Sequence, residues 1–423
     1  MEERLFDRIM HGKIKFGEME LQLVDVLFLA CMWFLAYRVR EPLIGIYTSD
    51  TYECVTIWMK KIRSLGCLKS LGVQISNYSS SYMYLLCIAV KLVKDDLLGC
   101  KLISFYFDYA TSIAAFCIIW KLTKNVRKSM LAMSFILLLP AVVINGAYWG
   151  QCDIIYTCFI MYAFLAYLYK RSRTAMILLG VAFSFKLQAL LVLPVFIIFW
   201  LRKDVIKIRH ILWVPGVYAL LQIPPAIMGR SFKELLLFYV EQAGTYSDGS
   251  LNYPNMYYLL DEGRFVFHHA KEVSSSGVIL CIALMGILAY YIYSKRVIMD
   301  TETKLILMIF ATGICVYVLP HMHERYAFVI DLFAAVLAVY NVRRLGLLCA
   351  YSLITIGAYG PYLFGCECIP MKTLSVYNLI LLTYTGYILI KKLMNSDVEC
   401  LEPVMVTGMQ EDTAAESDIK EEV

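Results

Sequence analysis

The ionisable side chains that could do chemistry in this chain stand in four places, separated by long apolar runs. Asp50 follows the first run, Asp153 opens a later one, Lys186 interrupts another, and the segment HMHERY lies between two more at 321–326. A charged group at membrane depth costs about 3 kcal/mol or more unless it pairs or serves a pathway. We therefore take these residues as a candidate functional site.

The two histidines of HMHERY do not predict a metal site. His321 and His323 are two residues apart, a spacing that does not place both side chains on one face of a helix. The HEXXH spacing of zinc enzymes is absent from the sequence. The dense polarity of the segment exceeds what a turn requires, so we interpret it as part of the candidate site.

The elements that must position these residues are transmembrane helices. The chain has 423 residues, of which 60% are hydrophobic and 17% charged, and its mean hydropathy is +0.65. This hydrophobic content exceeds what the core of a water-soluble protein needs. The apolar runs of about 17 to 22 residues have the length that spans a bilayer as a helix. The apolar runs do not show the alternation of apolar and polar residues that is typical of the strands of a membrane β-barrel. The pattern predicts an all-α polytopic membrane protein, and the small, dispersed net charge of +5 argues against a nucleic-acid partner.

We predict a bundle of about 12 transmembrane helices, with a range of 11 to 13. Loops rich in Lys and Arg mark the cytoplasmic side, which places both termini in the cytoplasm and the candidate site on the outer face. Two long outer loops remain, at 39–100 and 229–275. The apolar core at 81–93 is too short for a confident span, so we interpret it as an interfacial or re-entrant helix. If it does cross, the orientation downstream inverts.

One predicted span is broken. Lys186 and Gln188 interrupt an apolar stretch whose two ends are both basic, so two short helices meeting near Lys186 fit better than one long span. Such a bend is tolerated where it lines protein or a water-filled cavity. The predicted spans are 19–38, 101–120, 130–147, 153–169, 174–186, 189–201, 211–228, 276–294, 304–320, 325–340, 346–363 and 374–392.

The helices predict a single transmembrane domain at 1–394. The remainder, 395–423, is acidic and poor in apolar residues, which predicts a disordered cytoplasmic tail. Asp108 and Asp331 lie within predicted spans, and we interpret both as structural contacts that pair with an inward Lys or Arg.

Seven segments resemble, in order and spacing, the bacterial membrane glycosyltransferases related to the second mannosyltransferase of glycosylphosphatidylinositol assembly. The segments cover about residues 45 to 340 and read TSDTYE, SNYSSSYMYLL, KLISFYFDY, NGAYWGQCDIIYT, LLGVAFSFKLQALLVLP, LNYPNMYYL and LPHMHERYAFVIDLFA. This group belongs to the GT-C class. The resemblance implies an inverting enzyme of the bacterial plasma membrane that moves a hexose, with mannose suggested by the relatives, from a polyprenyl-phosphate donor to a lipid-linked or cell-surface glycan acceptor.

The resemblance also implies roles for individual residues. Asp50 matches the catalytic acid of the first outer loop and would be the general base. Donor phosphate binding is implied for three residues: Lys186, Arg325 and His321. Sugar or acceptor binding is implied for six more: Asp153, Gln151, Tyr148, Trp149, Glu324 and His323.

Three departures from the family pattern bear on these roles. Ser49 stands before Asp50 where the family often has Gly, and SNYSSSY replaces a proline-containing pattern. The first outer loop has no Asp-x-Asp, and Glu53 is the nearest second acid. One carboxylate would bind Mg²⁺ or Mn²⁺ poorly without the phosphate oxygens of the donor, so metal dependence stays open.

Two other functions remain as alternatives. A transporter or flippase of lipid-linked sugars would also use a broken helix, but it would be expected to keep paired polar groups near the midplane in two related halves. A glycan polymerase or ligase would share the outer cluster of charges and favour a larger outer loop. The crowding of charges at the outer face, without an apparent repeat, favours the glycosyltransferase.

Overall fold

The computed structural model describes residues 12–202, 205–243, 248–261 and 270–396. Within these ranges the chain is mainly helical, and its strands form two short pairings. The prediction of an all-α membrane fold is confirmed. The predicted acidic tail, apart from residues 395–396, lies outside the described residues.

The first described elements are a hairpin, β1 (Lys13–Phe16) and β2 (Met19–Gln22), which leads into helix α1 (Leu23–Arg40). The predicted first outer loop is itself folded into helical segments. They are a 3₁₀ turn at Glu41–Leu43, a π-helical turn at Thr51–Val55, α2 (Thr56–Leu65), α3 (Cys67–Leu71) and α4 (Ser80–Leu92).

Helix α4 corresponds to the segment predicted to be interfacial or re-entrant. It has 13 residues, which gives a length of about 20 Å at 1.5 Å per residue. A hydrocarbon core is about 30 Å thick. The helix is therefore too short to cross it as a straight span.

The middle of the chain forms the centre of the bundle. Its elements are α5 (Asp96–Thr123), α6 (Val126–Leu138), α7 (Pro140–Val143), a π-helical turn at Ile144–Tyr148, α8 (Asp153–Leu168), α9 (Ser172–Phe185), a 3₁₀ segment at Leu187–Val192 and α10 (Leu193–Leu201). The axis bends by 47° between α6 and the segment Pro140–Tyr148. Pro140 supplies no backbone N–H there, which explains the break.

The rest of the chain completes the bundle. Its elements are α11 (Ile208–Ile211), α12 (Trp213–Leu221), α13 (Ile223–Ile227), α14 (Phe232–Ala243), β3 (Ser250–Leu251), α15 (Tyr257–Asp261), α16 (Ala270–Ser294), α17 (Thr301–Val318), β4 (Met322–His323), α18 (Phe328–Tyr340), a 3₁₀ turn at Val342–Arg344, α19 (Leu345–Phe364) and α20 (Met371–Met394). Strands β3 and β4 pair in parallel.

Among the described residues, six helices are long and apolar enough to cross a membrane, and the bent pair at 126–148 makes a seventh. Further apolar helices of 10 to 17 residues include α4, α8, α9 and α18. The polytopic architecture is therefore confirmed, while the number of about 12 spans stays a prediction.

Helices α8 and α18 lie at the core. Twelve of the 16 residues of α8 and 12 of the 13 residues of α18 are buried. A helix that is apolar all round needs partners on every side. Helix α8 begins at Asp153, α9 ends just before Lys186, and α18 begins just after the HMHERY segment, and these three ends come together.

The two acids within spans have different partners. Asp108 accepts a hydrogen bond from Arg40 Nε at 2.9 Å, and both side chains are fully buried, so the predicted ion pair is confirmed. The prediction of a basic partner for Asp331 is wrong within the described residues. Its carboxylate accepts instead from the hydroxyls of Thr355 at 2.6 Å and Ser352 at 3.3 Å, because α19 presents its polar side to α18.

Candidate active site

A cavity of about 320 Å³ opens at the end of the bundle where α8 begins and α9 ends. Six of the predicted site residues line it, and they come from separate parts of the chain: Asp50, Gln151, Lys186, His321, His323 and Arg325. Asp153 and Glu324 are buried behind the wall, as is the ring of Trp149. Tyr148 packs its ring against Phe364 and does not line the cavity.

Asp50 is held by three uncharged donors. Its Oδ2 accepts from Trp149 Nε1 at 2.8 Å and from Gln151 Nε2 at 2.5 Å. Its Oδ1 accepts from the hydroxyl of Tyr362 at 2.7 Å. A carboxylate offers about four lone-pair positions, so three donors leave room for one more. The side chain is thereby oriented and still able to take a proton from the cavity.

The orientation of Gln151 is itself fixed. Tyr78 donates its hydroxyl hydrogen to Gln151 Oε1 at 2.9 Å. Burial raises the pKa of Tyr78 well above its ordinary value, so the hydroxyl remains protonated and acts as the donor. Because the amide oxygen faces Tyr78, the amide nitrogen must face Asp50.

A second group of charges lies beside Asp50. The Lys186 ammonium pairs with Asp153 Oδ1, and Arg325 Nε lies 3.5 Å from Asp153 Oδ2. Arg325 also donates to Glu324 Oε1 at 2.6 Å, and Asn145 Nδ2 donates to Asp153 Oδ2 at 2.9 Å. Two cations and two carboxylates thus balance one another in a site where an uncompensated charge would be costly.

Aromatic rings surround the two cations. The Lys186 ammonium lies 5.8 Å from the ring centroids of Tyr78, Tyr156 and Tyr326. The Arg325 guanidinium lies 5.2 Å from the centroid of Trp149, whose indole N–H holds Asp50. Cation–π contacts add to the ion pairs in fixing both positive groups.

The pairing of β3 with β4 positions the histidine segment. His321 adopts a left-handed conformation with φ 61°, and its backbone N–H donates to Gly249 O at 3.0 Å. Its ring nitrogens lie 2.5 Å from Asp248 O and 3.3 Å from Ser274 Oγ. The ring is therefore fixed from two sides at the cavity wall.

His323 and Glu324 carry different charges at neutral pH. Burial lowers the pKa of His323 below its ordinary value, so its ring is neutral there. Burial raises the pKa of Glu324, but the charge of Arg325 and contacts with His323 outweigh it, and the net pKa lies below 4.5. Although His323 Nδ1 lies 3.8 Å from Glu324 Oε2, the ion pair of Glu324 is therefore with Arg325.

Sequence patterns did not single out several residues of this site. Tyr78 and Tyr362 hold Asp50 directly or through Gln151, and Tyr239 and Gln242 of α14 line the cavity. Tyr78 stands in the resemblance segment SNYSSSYMYLL, but the resemblance gave it no role. Nothing in the local sequence of the other three distinguishes them from anchoring or surface residues. Only the packing of α14 and α19 against the outer loop brings Tyr239, Gln242 and Tyr362 here.

No three His, Cys, Asp or Glu side chains gather into a possible metal site in the ranges that the structure describes. Asp50 is the only carboxylate among the described residues that line the cavity. A bound Mg²⁺ or Mn²⁺ would have to take most of its ligands from the substrate or from water.

A helical membrane bundle with a carboxylate and two cations around a cavity at one end fits a glycosyltransferase of the GT-C class, and the comparison with known families bears this out. The chain belongs to glycosyltransferase family 87, whose model matches residues 89–320, more than half of its length. The protein is therefore an enzyme that transfers a sugar. No curated protein matches the chain. The matched region contains Gln151, Asp153 and Lys186, whereas Asp50 precedes it and HMHERY follows it.

Proposed function

We propose that the enzyme transfers a hexose, mannose by its resemblance, from a polyprenyl-phosphate donor to a lipid-linked or cell-surface glycan acceptor. Transfer takes place at the outer face of the bacterial plasma membrane, and both termini are cytoplasmic. The observation that carries this proposal is the opening of Asp50 into the same cavity as Lys186 and Arg325.

Asp50 is the general base. It takes the proton of the acceptor hydroxyl while the hydroxyl oxygen attacks the anomeric carbon of the donor, and the bond to the lipid phosphate breaks. Such catalysis contributes about 10² to 10⁴ in rate. A retaining reaction would need a second carboxylate in the cavity as nucleophile, and Asp50 is alone there among the described residues. A single displacement inverts the anomeric configuration.

Lys186 and Arg325 receive the phosphate of the leaving lipid, with His321 at the same wall. Charge develops on the phosphate oxygens as the glycosidic bond breaks, and fixed cationic donors stabilise that charge. Asp153 and Glu324 already compensate both cations. Binding of the phosphate therefore depends on directed hydrogen bonds more than on a net positive field.

The sugar and the acceptor occupy the remaining wall. The cavity volume of about 320 Å³ falls at the lower end of ligand sites, which run from about 300 to 1,000 Å³. Gln151 and His323 line the cavity, while Trp149, Asp153 and Glu324 support it from behind. Tyr148 would contribute only if its ring left Phe364.

The test is a donor screen on the purified protein in detergent. Polyprenyl-phosphate mannose, glucose and galactose are offered with octyl glycosides as acceptors, and products are detected by mass spectrometry. We expect transfer from one of the three, with release of polyprenyl phosphate. The anomeric configuration of the product, read by NMR, is expected to be opposite to that of the donor. Transfer from nucleotide sugars but from no lipid donor would refute the proposal, and a retained configuration would refute the assigned mechanism.

A further inference from the structure

Lys101 is a buried lysine of α5 whose ammonium, among the residues that the structure describes, donates to backbone oxygens only. Its side chain is fully buried. Its Nζ donates to Leu43 O at 2.7 Å, to Ile46 O at 2.6 Å and to Tyr148 O at 3.1 Å. An ammonium group has three N–H donors, and all three are used.

Burial of the Lys101 ammonium costs free energy. No carboxylate forms an ion pair with Lys101 in the part of the chain that the structure describes. A buried ammonium without a counter-ion loses several kcal/mol of hydration, which hydrogen bonds to carbonyls repay in part. An apolar side chain of the same length would fill the space without that penalty. The reason for a lysine must lie in what its three hydrogen bonds join.

The three carbonyls belong to two segments that meet at Asp50. Leu43 and Ile46 lie in the stretch that leads to Asp50. Tyr148 lies directly before the Trp149–Gln151 segment, whose Trp149 and Gln151 side chains donate to the Asp50 carboxylate. Lys101 is thus bonded to the loop that carries the base and to the segment that orients it.

Two further contacts join the same segments. Thr48 donates its hydroxyl hydrogen to Trp149 O at 2.9 Å. Gly150 has φ 76°, and a Cβ at this position would lie 2.6 Å from Thr51 Cγ2, so only glycine allows so close an approach. The two segments are packed backbone to backbone, and Lys101 closes one side of this contact.

We propose that Lys101 is a positioning residue for glycosyl transfer, holding the Asp50 loop against the Trp149–Gln151 segment so that the carboxylate keeps its direction. The proposal rests on the proposed function of Asp50. Catalytic groups must stay within about 0.5 Å of productive geometry, and a misplacement of about 1 Å can cost about 10²-fold in rate. Lys101 acts through the backbone and does not touch the substrate.

The first measurement is the steady-state kinetics of Lys101→Met, with Lys91→Met as the matched control, since Lys91 is an exposed lysine of α4. We expect kcat to fall about 10- to 100-fold in Lys101→Met. KM for the lipid donor should stay within about twofold, because Lys186 and Arg325 are undisturbed. A rise in KM with unchanged kcat would overturn the proposal.

A double-mutant cycle separates positioning from a general structural role. Gln151→Ala removes one donor to Asp50. If Lys101 acts through these donors, the double variant is about as slow as the worse single variant, whereas independent effects multiply. Multiplying effects would overturn the proposal. If Lys101→Met does not fold, Thr48→Val removes a neighbouring contact between the two segments and takes its place in the cycle.

A third measurement, the fluorine NMR signal of Trp149, does not require the enzyme to be active. In protein labelled with 5-fluorotryptophan, the fluorine signal of Trp149 is identified by its loss in Trp149→Phe. Lys101→Met is expected to move this signal in the way that Asp50→Asn does, and an unmoved signal would overturn the proposal. A wild-type enzyme that transfers no sugar would refute the proposed function, while the Trp149 signal would still decide the role of Lys101.

Discussion

Two kinds of carboxylate meet at this cavity, and their surroundings differ. Asp50 is half-buried, lines the cavity and, within the described part of the chain, accepts from uncharged donors only. Asp153 and Glu324 are at most 1% exposed and pair with the cations Lys186 and Arg325. The difference separates a group that can exchange a proton with a substrate from groups that keep two cations in place.

The comparison also supports the proposal that Asp50, and not Asp153 or Glu324, is the base. A carboxylate paired with a buried cation is stabilised in its charged form, and protonation would strand the cation without a partner. Uncharged donors orient Asp50 while leaving a position open for the acceptor hydroxyl.

Asp50→Asn is expected to lower kcat about 10²- to 10⁴-fold, because the amide cannot accept the hydroxyl proton. The melting temperature should change little, since no cation loses its partner. The matched control is Glu53→Gln, an exposed acid three residues away that does not line the cavity. Kinetics and thermal unfolding of both variants check this, and an active Asp50→Asn enzyme would falsify the assignment of the base.

Asp153→Asn is expected to lower stability by about 3–5 kcal/mol, because it leaves Lys186 buried without its counter-ion. Thermal unfolding in detergent measures the loss. The double variant Asp153→Asn with Lys186→Met removes one charge of each sign and should recover much of the stability while staying inactive. If Asp153→Asn unfolds like the wild-type protein, the ion network has no structural role.

Tyr362→Phe removes one donor from Asp50 and leaves the ion network intact. Hydrogen bonds to charged groups contribute about 1.5–3 kcal/mol, so we expect kcat to fall about 10-fold. Tyr52→Phe is the control, since Tyr52 is an exposed tyrosine near Asp50. Equal activity of the two variants would show that two donors suffice to orient the carboxylate.

Acidification is expected to have the smallest effect, through His323. The folded-state pKa of this ring lies below its ordinary value of 6.5, so below pH 6.5 the unfolded chain binds more protons and stability falls. The pKa of Glu324 lies below 4.5, and its contribution is lost only as the pH falls further. Melting temperatures between pH 7.5 and pH 5.5 should decrease in the wild-type protein and decrease less in His323→Gln. Parallel curves would exclude His323 as the cause.

Much of this protein follows from the sequence alone. The length of the apolar runs determines a helical membrane bundle, because a hydrocarbon core leaves the backbone few other ways to satisfy its hydrogen bonds. The break at Lys186, the acid after the first run and the polar HMHERY segment are local features that hydropathy exposes directly. Their meeting in one cavity agrees with the predicted common face, since each lies at a helix end.

The different surroundings of these residues become visible only in the folded chain. Asp50 and Asp153 are both acids next to apolar runs, and nothing local says which one opens to the cavity. Tyr78, Tyr362 and Lys101 reach their hydrogen-bond partners because segments distant in sequence pack together, and side-chain direction arises from that packing. Hydropathy determines the depth of a residue in the membrane, whereas its neighbours determine whether its charge is paired or available.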